Sequence, residues 1–277
     1  MVATRAHRLL AAALALALVA LAGSGLALGL AGCRRTSVSK ENTATRYVDA
    51  SSVSDLRIAW HNGAVVVRVA SDAKLDGKVS VSETAPKGWH DTPHMTIENE
   101  GGELAIGYGE GESLREKSLV VTLPKSCAGQ LGTVTLVGMA GEFSLSDLVC
   151  RELHGSFEAD SFSAKRVVSD TLELSASSGS LRFDGAVALS LDASVSSGNV
   201  RVRTSVAPER AAVSASSGNA ELLLPRDAGF TAQVQVGAGS FDCDFKTDER
   251  DGTLVAGDGA MTLDASVSSG NLHIGKR

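Results

Sequence analysis

The chain has 277 residues, 43% of them hydrophobic and 21% charged, with a formal net charge of −6. That apolar content can build a core and excludes wholesale disorder, and the acidic balance argues against a nucleic-acid partner. The 29 glycines follow no Gly-x-y period, so collagen is excluded, and aromatics at only 4% suit many small similar layers rather than one bulky core.

Residues 1–8 carry Arg5, His7 and Arg8, and Leu9 to Ala31 is uncharged. A basic start, an apolar stretch and small residues before a cut are the form of a secretory signal. The four residues Leu30-Ala31-Gly32-Cys33 resemble the bacterial lipobox, which implies cleavage before an acylated Cys33 and places residues 1–32 in a signal peptide. The apolar run also has the length of a transmembrane helix, about 20 residues, so an uncleaved anchor is the alternative. Its glycines weaken a helix, and Arg34 and Arg35 would lie on the wrong side of a span with its N-terminus inside. Either reading expects the remainder outside the cytoplasm, held at the membrane. Residues 33–54 are polar and read as a flexible tether.

From residue 55 onward the pattern alternates with period two, as in Val65-Val66-Val67-Arg68-Val69 and Leu119-Val120-Val121-Thr122-Leu123. The expectation is an all-β domain over 55–277. Residues 55–125 repeat poorly and read as irregular first turns acting as a cap. Within them Pro86, Gly88, Trp89, His90 and Pro93 mark a loop, and Tyr108 lies in Gly107-Tyr108-Gly109.

Residues 126–277 are the regular part. Ser178-Gly179, Ser197-Gly198, Ser217-Gly218, Ala238-Gly239 and Ser269-Gly270 each lead a short alternating strand, and their glycines step by 19, 20, 21 and 31 residues. Counting back by 19 places Asp160 and Gly141 in the same slot, Asp being tolerant of a left-handed backbone. The long last step holds Lys246 to Gly252, which reads as a loop insertion. One copy cannot bury its apolar face alone, whereas stacked copies can. The expected architecture is a single-domain stacked β-solenoid with turns of 19–21 residues, Asn199, Asn219 and Asn271 forming an amide ladder along one corner. A β-sandwich using Ser-Ser-Gly-Asn as hairpin chemistry is the competing arrangement.

These Ser-Gly-x-apolar-x-apolar copies, with Leu123-Pro124 and Leu224-Pro225 ending strands, resemble a bacterial family of suspected adhesins, also described as toast-rack-like. The resemblance covers roughly residues 55–277. It implies a stacked β fold at the cell surface with a role in adhesion or envelope-stress sensing, and it implies no catalytic residues.

The search for chemistry returns little. Ser37-Val38-Ser39-Lys40 lies in the tether, where a Ser-x-x-Lys nucleophile has no buried helix. His90 and His94 flank Pro93, which forbids the helix that zinc pairs at this spacing need. Gly257 to Asp264 is a single copy of a calcium-repeat-like run, insufficient alone. Asp242 and Asp244 share a strand face with Cys243 inward, and a glycan lyase on a β-helix would need a rung-aligned basic partner beyond Arg182 and Arg201. The expectation is therefore no catalysis, no cofactor and no metal. The expected partners are the membrane, through the lipid, and an envelope protein or glycan. Trp89 and Tyr108 are the candidate contacts, because aromatic side chains on loops make good binding anchors. Cys127 and Cys150 are 23 residues apart, near one rung, and are the candidate disulfide in an exported chain.

Overall fold

The computed structural model describes residues 43–85, 94–109 and 116–277. Strand makes up 78% of the described residues and helix 5%, in one open sheet of 13 strands, an all-β solenoid-like domain. No helix of the described residues is long and apolar enough to cross a membrane.

The stack is built from β2 (Asp55–Ala70), β7 (Leu131–Ser146), β8 (Val149–Thr204), β9 (Arg210–Leu224), β10 (Phe230–Cys243) and β13 (Met261–Lys276). All neighbouring rungs pair in parallel. Gly63 lies opposite Gly141, Gly141 opposite Asp160, Gly198 opposite Gly218, and Gly218 opposite Gly270. The repeat thus reaches back to β2, which looked irregular because residues 71–130 are interposed.

That interposed segment is the cap. It contains β3 (Lys78–Thr84), β4 (Thr96–Glu100), β5 (Glu103–Gly107) and β6 (Ser118–Pro124), and β1 (Thr43–Asp49) joins it by pairing with β3, so residues 43–54, expected to be tether, are part of the domain, with Val48, Ala50 and Val53 in its core. β5 and β6 run parallel to the two halves of β2, while β3 and β4 are antiparallel to β6 and β5.

The glycine column is dictated by backbone approach. Gly198, Gly218 and Gly270 all have φ of +134°. A Cβ on Gly198 would lie 1.9 Å from the Gly179 carbonyl oxygen, and one on Gly218 would lie 1.7 Å from that of Gly198. Only glycine meets both demands. Asp160 fills its slot differently from expectation: it is not among the positive-φ residues. Its carboxyl instead turns into the stack beneath Gly138, where a Cβ would come within 2.2 Å of Oδ2.

The strand order departs from chain order at the far end. The sheet runs β8, β9, β13, β10, so β10 leaves a one-rung gap that β13 fills. The Lys246–Gly252 stretch is not a loop. β11 (Thr247–Arg250) and β12 (Thr253–Ala256) form a hairpin about Asp251 and Gly252, both at positive φ, and β12 pairs back onto β10. This hairpin reverses the chain so that it re-enters beside β9. The insertion makes the amide ladder continuous: Asn219 Nδ2 donates to Asn199 Oδ1 at 2.8 Å, and Asn271 Nδ2 donates to Asn219 Oδ1 at 2.9 Å. Ser240, one rung further out, donates its hydroxyl to Asn271 Oδ1 at 2.6 Å.

Candidate functional site

In each rung the third residue after the glycine slot points outward, since successive strand residues alternate faces. Registers align Ser144 with Ser163, Arg201 with Glu221, Glu221 with His273 and His273 with Asp242. Arg182 holds the same offset from Gly179, between Ser163 and Arg201. Two residues along, Lys165, Asp184 and Arg203 form a second row on that face. In its middle, Lys165, Arg182, Asp184, Arg201 and Arg203 line an open groove of about 270 Å³. Arg203 Nη1 lies 3.6 Å from Asp184 Oδ2, Arg277 Nη2 lies 3.0 Å from Asp184 Oδ1, and Arg201 Nε lies 3.1 Å from Glu221 Oε2. Among the described residues no carboxylate pairs with Lys165 or Arg182. The groove is therefore a basic concavity on an acidic protein. Toward β10 the same face turns acidic, ending in Asp242 and Asp244 beside His273.

Of the residues expected to matter from sequence, Cys33 and Trp89 lie outside the described residues. Tyr108 is described and is not presented to a partner. It is 6% exposed, its ring meets Trp60 edge-on at 4.9 Å and stacks on His61 at 5.2 Å. Lys117 Nζ sits 3.9 Å over that ring and 2.6 Å from Glu83 Oε1, in a pair that is almost wholly buried. Burial, with Glu83 and Glu116 adding to it, pushes the Tyr108 hydroxyl up to about 12. Trp60 Nε1 donates to the Lys117 carbonyl at 2.9 Å. These aromatics plug the cap, because the first rung otherwise leaves its apolar side uncovered.

The Cys127–Cys150 disulfide is not formed: both thiols are free and buried. Cys127 sits in a short helix, Lys125–Ala128, with its sulfur 3.9 Å from the Val53 carbonyl, whereas Cys150 opens β8 with its sulfur 3.9 Å from that of Val168. Burial raises both thiols, Cys150 to about 12 with Asp170 adding to the effect, so each is a core residue rather than a nucleophile. His94 lies 3.7 Å from Glu83, and His90 lies outside the described residues.

Sequence reasoning did pair Asp242 with Asp244 but missed His273. Chain order puts His273 31 residues from Asp242. Aligning Gly239 with Gly270 would have placed them side by side, as the register does.

Parallel rungs, a glycine column and a polar outward face define an all-β repeat domain of the toast-rack kind. The chain belongs to the Toastrack DUF4097 family, whose model matches residues 53–275. Among solved structures it is similar to a provisionally assigned adhesin from Bacteroides fragilis, at 11% identity and a TM-score of 0.43, covering 85% of this chain and 98% of that one. It is also similar to a provisionally assigned lipid binding protein from Parabacteroides distasonis, at 14% identity and a TM-score of 0.43, covering 86% and 98%. A third, a provisionally assigned cell adhesion protein from Clostridium sporogenes, shares 12% identity with a TM-score of 0.39, covering 85% and 99%. No curated protein matches the chain.

Proposed function

We propose that this chain is a non-catalytic binding module of the cell envelope, tethered outside the cytoplasm by lipid on Cys33, that holds an anionic envelope glycan on its polar strand face. The observation that carries the reading is the groove of Lys165, Arg182, Arg201 and Arg203. A sheet of backbone-paired rungs holds these side chains at a fixed spacing of one rung, about 4.8 Å, which suits a repeating anionic polymer better than a compact substrate. The adhesin-like descriptions of the similar structures are compatible with such a role. The polar residues 33–42, which precede β1, would give the domain reach from the membrane.

The test has two arms. Binding to arrays of acidic and neutral glycans is measured for the domain and for Lys165→Ala with Arg182→Ala. Acidic glycans retained by the wild type and lost by the double variant support the reading; equal retention overturns the assignment of the groove. Separately, Cys33→Ser should lose lipid label and leave the membrane fraction.

A further inference from the structure

The acidic end of the strand face carries a second constellation. Asp242 lies on β10 and Asp244 is the residue just past its end, and both carboxylates approach His273. The Gly239–Gly270 register sets His273 opposite Asp242. His273 Nε2 faces both carboxylates, at 3.7 Å from Asp242 Oδ2 and 3.4 Å from Asp244 Oδ1, and the three ligand atoms all lie within 4.8 Å of one another. Zinc with bonds of about 2.0–2.1 Å holds tetrahedral ligand atoms about 3.3 Å apart, and the two contacts to His273 Nε2 come close to that separation.

A second, independent observation lies behind the ring. His273 Nδ1 points away from the two Asp residues toward Glu221 Oε1, 3.8 Å off, and Glu221 is itself held by Arg201 Nε at 3.1 Å. A carboxylate behind the far nitrogen is how metal-bound imidazoles are oriented and made more basic. Asp244 is likewise pre-positioned: its Oδ2 accepts the Lys276 N–H at 3.1 Å, leaving Oδ1 toward His273.

His154 shows what an ordinary surface ion-pair cluster looks like in the same protein. Its Nε2 faces Glu152 and its Nδ1 faces Glu173, each at 3.2 Å, so the two carboxylates sit on opposite edges of the ring and cannot share one ion with it. At His273 both acids gather on one nitrogen.

We propose that Asp242, Asp244 and His273 form a zinc site at the outer end of the stack, with Glu221 as the positioning residue behind His273. One imidazole with two carboxylates suits zinc over calcium, which takes six to eight oxygens. The remaining coordination position opens toward solvent, because β12 covers β10 only at Phe230–Ala232. The three ligands lie outside the groove of the glycan reading, and the two readings share only Arg201, which holds Glu221, so zinc binding is tested separately from glycan binding.

The experiment is a zinc titration of the chelator-stripped full chain by calorimetry, with calcium as a parallel probe. One zinc per chain, a rise in melting temperature with zinc and none with calcium are expected. His273→Ala and Asp242→Asn should each weaken binding at least about tenfold, Glu221→Gln about tenfold, and His154→Ala not at all. Circular dichroism melts without metal establish that each variant is folded. No zinc binding by the wild type, preference for calcium, or equal zinc affinity in folded His273→Ala or Asp242→Asn would each overturn the site.

Discussion

Val65, Phe143, Phe162, Leu181, Val200, Ala220, Leu272 and Phe241 occupy the same inward position two residues past the glycine slot. Seven of them are at most 1% exposed, whereas Phe241 on β10 is 37% exposed. At the β2 end, β5 and β6 lie over the first rung, and Trp60, Tyr108 and the Glu83–Lys117 pair fill the space beneath them. At the β10 end Val234 and Val236 are half-buried and the strand edge beyond Ala232 has no further strand on it among the described residues. The same side-chain pattern therefore gives core or surface depending on whether another rung follows. Stability is concentrated at the capped end, and the uncapped end is free to carry the ionisable cluster.

The strongest disruption of that asymmetry is at the cap. Lys117→Met leaves Glu83 buried without its cation and should cost about 3–5 kcal/mol, measured by urea unfolding. Truncating the apolar column separates the ends directly. Phe162→Ala should cost about 3–5 kcal/mol and Phe241→Ala less than about 1 kcal/mol; equal costs would mean the β10 end is covered in solution. The glycine column gives a parallel contrast. Gly198→Ala must push apart two rungs and is expected to lose about 3 kcal/mol, whereas Gly77→Ala, at φ of +67° with nothing within 4 Å, loses only about 1 kcal/mol.

Asp160 supplies the pH-dependent case. It is 1% exposed, and neither oxygen has a hydrogen-bond partner of good geometry. Burial first, and Glu158 after it, push its carboxyl up to about 6, the Gly141 amide offsetting only part of that. The folded state thus holds a proton that the unfolded chain, titrating near 4, has already lost. Stability should fall as pH rises from about 4 to 6 and stay lower above. Asp160→Asn should remove that slope and gain about 1–2 kcal/mol at pH 7, with no gain at pH 4. The smallest effect expected is at the amide ladder: Asn219→Ala, which breaks the bonds to Asn199 and Asn271, should cost about 1 kcal/mol.

The column of glycines and the Asn ladder were legible in the sequence because a turn that needs positive φ leaves few choices of residue, and a stack repeats them at a fixed step. Gly63 was harder to place, since 78 residues separate it from its partner Gly141. The order of the last two rungs was not legible. Gly239 and Gly270 have the same local pattern, and only the β11–β12 hairpin decides which lies outside. That order decides that His273 rather than Asp242 lies against Glu221, whereas Asp242 and His273 are neighbours in either order. Tyr108 was misread for a related reason: Gly107-Tyr108-Gly109 has loop composition, but nothing local reports that Lys117 and Glu83 close over it.

The late arrival of β13 has a consequence for how the chain reaches its folded state. β13 hydrogen-bonds on both sides, to β9 along Thr262–Lys276 and to β10 along Met261–Ile274. Arg277 continues the clamp, its amide donating to Leu224 and its guanidinium reaching Asp184 and Gly185. During synthesis β9 and β10 emerge earlier than the strand that joins them, so no rung beyond β9 can lock until residue 276 is available. β13 is the keystone of an arch: a nascent or clipped chain ending before it keeps β10 detached, exposing its edge to proteases and chaperones, while the rungs from β2 to β9 are already closed.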